Sequence, residues 1–272
     1  MMTTVRGIPV HYLDEGEGRP IVLIHGRPGY HMGPARHFEP IFAERDGWRR
    51  LYPDLPGMGL TPGADWITGQ QDMLTVLSDF IDAVIPGQRF TVVGMSYGGY
   101  MTLGLVHERR ADLDGVMLWA PAMDLERDRT KMPAHQVFEA DPEAVASVQA
   151  DEQTWLAVAS VHTAETLAAF RAAIKPGFSM ADMPFLDRVS ERDSFDFDPA
   201  EIAASVTVPT LLLAGRQDSV VGYADMVGLL EAFPRATVAV LDRAGHALAE
   251  EQPVLFRTLV GEWLDRVAEN AG

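Results

Sequence analysis

The stretch that decides the fold is "VVGMSYGGYMT", residues 92–102. The apolar run that leads into it predicts a buried strand, and the residues that follow the serine predict a helix. Ser96 stands at the turn between them, inside a G-x-S-x-G pattern delimited by Gly94 and Gly98. Such a strained turn exposes the serine side chain and aims the positive N-terminus of the following helix at it. The stretch therefore predicts a nucleophilic serine, with Gly94 and Gly98 making the bend possible.

The composition is that of a globular protein. The chain has 272 residues, of which 47% are hydrophobic and 22% are charged, so we expect one domain with a large core. The net charge of −17 argues against a nucleic-acid partner, and the absence of cysteine excludes disulfides and thiolate chemistry. Neither a signal peptide nor a membrane span of about 18 apolar residues is recognisable. We therefore predict a cytoplasmic protein without a membrane partner.

Strand and helix patterns alternate along much of the chain. Short apolar runs at 21–26, 90–96, 115–121 and 209–215 are typical of strands that are buried on both faces. Between two of them, residues 70–85 carry apolar side chains at helical spacing, and a Pro-Gly pair ends this pattern. The alternation predicts an α/β fold with a mainly parallel sheet between layers of helices.

The alternation stops near the middle of the chain. Residues 121–204 contain no convincing buried strand and are instead typical of several helices joined by proline-containing loops. The simplest organisation is an α/β core of residues 1–120 and 205–272 with a helical cap inserted at 121–204. Scaffolding and shaping of a substrate pocket are both open as roles for this cap.

A serine nucleophile needs a base and a group that orients this base. His246 follows an apolar strand pattern late in the chain and is the predicted base. Asp218 follows the strand "PTLLLAG" and is the predicted orienting acid, because catalytic groups gather at the carboxyl ends of parallel strands. Asp124 and Asp242 remain alternatives for this acid. The catalytic residues predicted from the sequence are Ser96, Asp218 and His246.

The developing oxyanion needs fixed hydrogen-bond donors. The segment "IVLIHGRPG", residues 21–29, ends a strand in a tight loop that includes His25 and Gly26. We predict that the backbone N–H groups of Arg27 and Tyr97 form the oxyanion hole and that His25 braces the loop. The side chain of Arg27 is either solvated or available to a substrate carboxylate.

Five segments carry a family resemblance, in this order: "HGRPG", "PDLPGMGLT", "GMSYGG", "GRQD" and "AGHALAEEQP". With them the chain resembles the α/β-hydrolase superfamily over essentially its whole length. The resemblance implies a mostly parallel eight-stranded sheet, a cap above the catalytic edge, and activity without a metal or an organic cofactor. Asp54 and Thr61, in the second segment, are interpreted as structural residues.

The resemblance leaves the substrate open, because members of the superfamily cleave many kinds of bond. Haloalkane dehalogenases and epoxide hydrolases carry an aspartate at the elbow, and Ser96 argues against both. Arg27 and Tyr97 depart from the pattern of the prolyl aminopeptidase branch. We predict a serine hydrolase of a small carboxylic ester or a related acyl compound. A carbon–carbon bond hydrolase, an aminopeptidase and a non-catalytic ligand receptor are the alternatives.

The cap and the loops near the serine provide candidate pocket residues. His31 and His37 follow the oxyanion loop and are candidates for the pocket wall. Glu139, Glu143 and Glu165 of the cap either bind a substrate amine or face solvent. Apolar residues in or near the cap line an acyl pocket or pack within the cap; they are Met123, Met132, Phe138, Phe178, Met180, Met183 and Phe185.

Overall fold

The computed structural model describes residues 1–125, 132–198 and 206–270, and its centre is a sheet of eight strands. The strands are numbered in chain order. In spatial order they are β1 (Met2–Val5), β2 (Ile8–Glu15), β4 (Trp48–Pro53), β3 (Arg19–Ile24), β5 (Phe90–Met95), β6 (Leu113–Trp119), β9 (Thr210–Gly215) and β10 (Ala236–Leu241). The first two pairs in this order are antiparallel and the others are parallel. The predicted mostly parallel eight-stranded sheet is confirmed.

The central strands owe their position to continuous apolar sequence. Every residue of β9 is buried, as is every residue of β5 before Met95. Strands covered on both faces need such runs, because neither face meets water. The carboxyl ends of β3, β5, β9 and β10 point to the same edge of the sheet, since these strands are parallel. The loops that carry the candidate site residues therefore leave from one edge.

Helices cover the sheet. Outside the inserted segment they are α1 (Met32–Phe42), α2 (Gln70–Val84), α3 (Tyr97–Arg109), α9 (Ala224–Gly228), α10 (Leu248–Glu251) and α11 (Pro253–Asn270). The helix predicted over residues 70–85 is α2, and it buries the apolar face that the spacing indicates. It ends before Pro86, whose ring cannot continue a helix.

The chain between β6 and β9 contributes no strand to the main sheet in the residues that are described. We call residues 132–198 the cap segment. Its helices are α4 (Pro142–Ala146), α5 (Gln153–Val158), α6 (Ala164–Ala173), α7 (Lys175–Met180) and α8 (Met183–Val189). The sequence predicts helices and loops here, but the segment also contains a small parallel pair, β7 (Glu139–Ala140) and β8 (Val161–His162). Strands of two residues are too short to produce an alternating pattern.

Within the described ranges, the apolar core has two parts. The larger one surrounds the main sheet. The smaller one belongs to the cap segment and consists of Trp155, Ala159, Leu167 and Phe170. The predicted limit of the cap at residue 204 lies outside the described residues, so the division into core and cap stays a prediction. No helix in the described ranges combines the length and the apolar character that crossing a membrane requires.

Candidate active site

Ser96 occupies the turn between β5 and α3 in a conformation that few residues adopt. Its φ is 53° and its ψ is −115°, in a region that costs a non-glycine residue about 1–3 kcal/mol. Two backbone hydrogen bonds hold it there. Its N–H donates to the carbonyl of Trp119 at 2.9 Å, and its carbonyl accepts the N–H of Ala122 at 2.9 Å. The neighbouring strand β6 and the loop after it therefore stabilise the strained turn.

The glycines around Ser96 serve close packing. A Cβ on Gly94 would lie 2.1 Å from the carbonyl oxygen of Gly98, and a Cβ on Gly98 would lie 2.3 Å from that of Ile24. The positive φ of the turn belongs to Ser96, and neither glycine shares it. The glycines thus make the turn possible by letting backbones approach closely, while the serine takes the strained dihedral angles.

Ser96, His246 and Asp218 form a continuous chain of hydrogen bonds. The hydroxyl of Ser96 lies 3.0 Å from Nε2 of His246, and Nδ1 of His246 lies 2.8 Å from Oδ2 of Asp218. An ionised carboxylate only accepts hydrogen bonds, so Nδ1 carries the proton and Nε2 presents its lone pair to the serine. The three residues predicted from three separate loops thus meet in the arrangement that general-base activation of a serine requires.

Asp218 is fixed independently of the histidine. It is fully buried, and its Oδ1 accepts the backbone N–H groups of Val220 at 2.8 Å and Val221 at 2.9 Å. A buried carboxylate needs such donors, because an ion loses its hydration on burial. Oδ2 is thereby directed at His246. Of the three candidate acids, Asp218 is the one that bonds to Nδ1 of His246.

The loop after β3 packs against the serine. A Cβ on Gly26 would lie 3.3 Å from Cβ of Ser96, so this position suits a residue without a side chain. The peptide bond between Arg27 and Pro28 is cis. Among the described residues, neither the backbone N–H of Arg27 nor that of Tyr97 has an acceptor. The predicted role of these two amides as the oxyanion hole stays a prediction.

His25 stands at the base of this loop with both ring nitrogens engaged. Its Nε2 accepts the backbone N–H of Leu55 at 3.1 Å, and its Nδ1 donates to the carbonyl of Gly26 at 2.7 Å. The ring is therefore neutral, and burial lowers its pKa. His25 thus braces the loop after β3 against the loop after β4.

The side chain of Arg27 is partly buried next to the cavity, among other polar side chains. Its Nη1 lies 3.4 Å from Oδ1 of Asp193, and its guanidinium lies 4.9 Å from the ring centre of Tyr97. The Tyr97 hydroxyl donates to Gln70 at 2.5 Å, and the amide of Gln70 donates to Asp193 at 2.7 Å. The Arg27 side chain is therefore not the solvated surface group that one interpretation of the sequence held. It links the loop after β3 to the cap segment.

A cavity of about 360 Å³ lies over the serine. Core loops and the cap segment both contribute to its wall, which is mainly apolar and aromatic. Its apolar members include Leu125, Trp155, Val158, Phe170, Ile174, Phe178, Val220 and Val221. Of the apolar residues predicted to line a pocket, Phe178 is the one that does so in this cavity. The cavity is large enough for an acyl group of modest size.

The acidic residues of the wall differ from the predicted ones. Glu139, Glu143 and Glu165 are exposed and absent from the cavity wall. The wall contains Glu250 instead, which accepts a hydrogen bond from Nε2 of His37 at 3.0 Å. Sequence reasoning missed Glu250. It lies four residues after the candidate base, but His246 precedes helix α10, so no helix-face pattern marks Glu250 in the sequence.

Neither of the two histidines predicted to line the pocket is in the cavity wall. His37 lies behind Glu250, and His31 belongs to a separate cluster around Asp54. Nδ1 of His31 lies 3.0 Å and Nδ1 of His11 lies 2.8 Å from the buried Asp54 carboxylate, which also accepts the N–H of Leu60. Burial raises the pKa of Asp54, but the bond from His31 and the neighbouring His25 lower it more. Thr61 accepts the backbone N–H of His11. The cluster braces the loop after β4, a structural task like the one predicted for Asp54 and Thr61.

Glu251 links the His246 loop to the cap segment. Its carboxylate accepts the backbone N–H groups of Gly245 at 2.6 Å, Val161 at 3.0 Å and Ser160. Burial raises the pKa of Glu251 to about 7, although these three bonds act in the opposite direction. One buried side chain thus holds β8 against the residue that precedes the candidate base.

The raised pKa of Glu251 predicts a pH dependence of stability. The unfolded chain releases this proton near 4.5 and the folded chain releases it near 7. The folded state therefore binds more protons between these values, and the free energy of unfolding falls as the pH rises through this window. Between about pH 5.5 and pH 8 we expect the wild type to lose about 2 kcal/mol more than Glu251→Gln, measured by urea unfolding.

The same unfolding series on Glu262→Gln is the matched control. Glu262 is an exposed carboxylate on α11, so its variant should follow the pH profile of the wild type. Parallel profiles for the wild type and Glu251→Gln would contradict the assignment of a raised pKa to this carboxyl.

Comparisons with known proteins agree with the fold. The model of the alpha/beta hydrolase family matches residues 21–258. Haloalkane dehalogenase 2 of Mycobacterium bovis is 28% identical over 260 residues, which cover 90% of this chain and 87% of that protein. The 2-hydroxy-6-oxo-6-(2'-aminophenyl)hexa-2,4-dienoic acid hydrolase of Metapseudomonas resinovorans is 24% identical over 268 residues, 97% of this chain and 90% of that one.

A solved structure agrees over nearly the whole chain. The alpha/beta superfamily hydrolase from Oenococcus oeni PSU-1 has a TM-score of 0.88 and 25% identity, and the match covers 98% of this chain and 99% of that one. The family model also spans most of the sequence and includes all three loops that supply the hydrogen-bonded serine, histidine and aspartate. This chain belongs to the alpha/beta hydrolase family.

Proposed function

We propose that the protein is a serine hydrolase that cleaves small to medium carboxylic esters or related acyl compounds. The observation that carries this proposal is the hydrogen-bonded chain from Ser96 through His246 to Asp218, at the wall of an apolar cavity. Membership of a hydrolase family supports the reaction class. The ester specificity rests on the serine nucleophile and on the cavity, which suits an acyl chain or ring.

The cycle begins with proton transfer. Nε2 of His246 accepts the hydroxyl proton of Ser96 while Oγ attacks the substrate carbonyl. The carbonyl oxygen becomes an oxyanion, and the N–H groups of Arg27 and Tyr97 stabilise it. The tetrahedral intermediate collapses, Nε2–H of His246 protonates the departing alkoxide, and an acyl-enzyme remains. Water, deprotonated by His246, then releases the acid and regenerates Ser96.

Asp218 stabilises the charge that appears on His246. When Nε2 is protonated, the imidazolium lies 2.8 Å from a carboxylate that has no access to water. Electrostatic attraction is stronger there than in water, because the local dielectric constant is low. The carboxylate also fixes the tautomer that leaves Nε2 free to accept a proton. It acts without taking the proton itself.

The nucleophile argues against halide displacement, despite the similarity to a dehalogenase. Attack of a serine oxygen on a haloalkane carbon would form an alkyl ether, which water does not cleave readily. A carboxylate nucleophile would form an ester, which hydrolyses. Ser96 can therefore turn over a carbonyl substrate, whereas a haloalkane would leave it alkylated and inactive.

A second candidate is hydrolysis of a carbon–carbon bond in a hydroxy-oxo-dienoic acid. The relative from Metapseudomonas resinovorans acts on such an acid, and the Arg27 guanidinium beside the cavity offers a positive charge to its carboxylate. Parallel assays with p-nitrophenyl esters and with an oxo-dienoic acid distinguish the two candidates. Faster turnover of the dienoic acid, by kcat/KM, would favour the second.

Fluorophosphonate labelling tests the serine chemistry directly. The probe phosphonylates an activated serine, and mass spectrometry of the digested protein locates the modified residue. We expect one adduct, on Ser96, together with turnover of p-nitrophenyl butyrate. A ligand receptor without catalytic activity would show neither. Labelling at another residue, or turnover that persists after complete labelling of Ser96, would contradict the proposal.

A further inference from the structure

The cavity wall contains a carboxylate that the proposed reaction cycle does not use. Glu250 lines the same cavity as Ser96 and lies in the short helix α10, four residues after His246. Its side chain is only 4% exposed. Carboxylates are rarely so buried without full pairing, because the loss of hydration is costly. A carboxylate buried in the cavity wall therefore indicates a role in the cavity.

His37 pairs with one of the two oxygens. Its Nε2 lies 3.0 Å from Oε1 of Glu250, and its ring packs edge-on against Trp119 and Phe256. These contacts hold the imidazole, and the imidazole holds the carboxylate. Among the described residues, no group donates to Oε2. Glu250 thus lines the cavity with one oxygen held by His37 and the other without a donor among the described residues.

Several other polar groups of the wall are already engaged. The hydroxyl of Thr166 donates to the carbonyl of Val161 at 2.7 Å, and that of Tyr30 donates to the carbonyl of Ala172 at 3.3 Å. The guanidinium of Arg27 is paired with Asp193. Most of the remaining wall is apolar. A hydrogen-bond donor of a substrate in the cavity would therefore bind to the carboxylate of Glu250.

We propose that Glu250, oriented by His37, is a substrate subsite for a hydrogen-bond donor, a hydroxyl or an ammonium group on the acyl part of the substrate. This inference rests on the proposed function, since it names the substrate class of the same cavity. An ionised carboxylate only accepts hydrogen bonds, and a bond to a buried charge is stronger than one between neutral groups. An acyl group with a methyl at this place leaves Oε2 of Glu250 without a donor.

Binding to Ser96→Ala protein tests the subsite without turnover. The probes are methyl phenylacetates with a meta or para hydroxymethyl, aminomethyl or ethyl substituent, which are closely similar in size. Isothermal titration calorimetry measures each Kd. We expect at least one donor-bearing probe to bind about tenfold more tightly than its ethyl analogue, the effect of one hydrogen bond to a charged group. Equal Kd values, or no binding of any donor probe at millimolar concentration, would overturn the inference.

Variants of Glu250 assign the preference to this side chain. In the Ser96→Ala background, Glu250→Leu should bring the donor and ethyl probes within about twofold of each other. Glu250→Gln keeps the shape and one acceptor oxygen, so it should lose the preference for ammonium and keep part of that for hydroxyl. Glu165→Gln, on an exposed cap residue, should keep the full preference. An unchanged preference in both Glu250 variants would overturn the inference.

The two proposals fail separately. If the donor-bearing and ethyl probes bind equally well while wild-type protein hydrolyses the ethyl probe, the subsite is overturned and the proposed esterase function stands. Donor preference in binding, combined with no ester turnover by wild-type protein, would retain the subsite and overturn the esterase. Circular dichroism of each variant shows whether it folds. If Glu250→Leu does not fold, the comparison of Glu250→Gln with the Ser96→Ala parent decides the test.

Discussion

Replacement of Ser96 by alanine is expected to lower kcat for p-nitrophenyl butyrate by at least about a thousandfold. The alanine retains Cβ, so the packing against Gly26 and the hydrogen bonds of the turn are preserved. What disappears is the oxygen that lies 3.0 Å from Nε2 of His246. No acyl-enzyme forms, and fluorophosphonate labelling is lost with it.

Ser190→Ala is the matched control for this prediction. The Ser190 hydroxyl donates to the carbonyl of Leu186 within the cap segment, so its loss should leave both turnover and labelling near wild-type values. Thermal unfolding of the two variants separates a chemical effect from a structural one. Ser96→Ala protein that folds normally and still hydrolyses the ester at more than a tenth of the wild-type rate would contradict the proposed nucleophile.

The elements that position this site were predictable because each has a local signature. Ser96 lies in a glycine-flanked turn between an apolar strand and a helix, and the residues after the strand at 209–215 supply Asp218 in the same way. Parallel strands bring such loops to one edge whatever separates them in sequence. His246 follows the edge strand β10, which is only partly buried. It was still predictable, because a short loop that carries a histidine follows this apolar strand.

Other features depend on contacts that no local pattern records. Glu250 and His37 are 213 residues apart, and neither residue signals the other. The raised pKa of Glu251 comes from burial under the cap segment, which outweighs the opposite effect of the amides of Gly245, Ser160 and Val161. The glycines illustrate a subtler limit. Their presence predicts a tight turn, but the sequence cannot tell whether Gly94 or Ser96 carries the unusual φ, which the structure assigns to Ser96.

Asp218→Asn is expected to lower kcat by about ten-thousandfold through the histidine tautomer. Two backbone amides, of Val220 and Val221, donate to Oδ1 of Asp218. In the variant these amides will keep the asparagine carbonyl in the place of Oδ1, which turns the asparagine NH₂ group toward Nδ1 of His246. Nδ1 must then accept, so the ring proton moves to Nε2 and points at the Ser96 hydroxyl. A protonated Nε2 cannot accept the serine proton.

Asp242→Asn distinguishes this tautomer effect from a general loss of negative charge. Asp242 lies on the loop that leads to His246 and is exposed, so its neutralisation changes the net charge equally but leaves the histidine tautomer intact. We expect its kcat for p-nitrophenyl butyrate to stay within about threefold of the wild type. Nitrogen-15 spectra of the His246 ring provide a direct readout, with the proton on Nδ1 in the wild type and on Nε2 in Asp218→Asn. Full activity in Asp218→Asn, or a ring proton that stays on Nδ1, would contradict the proposed role. The two backbone amides would then hold the carboxylate for stability alone, and the orienting acid would have to be sought elsewhere.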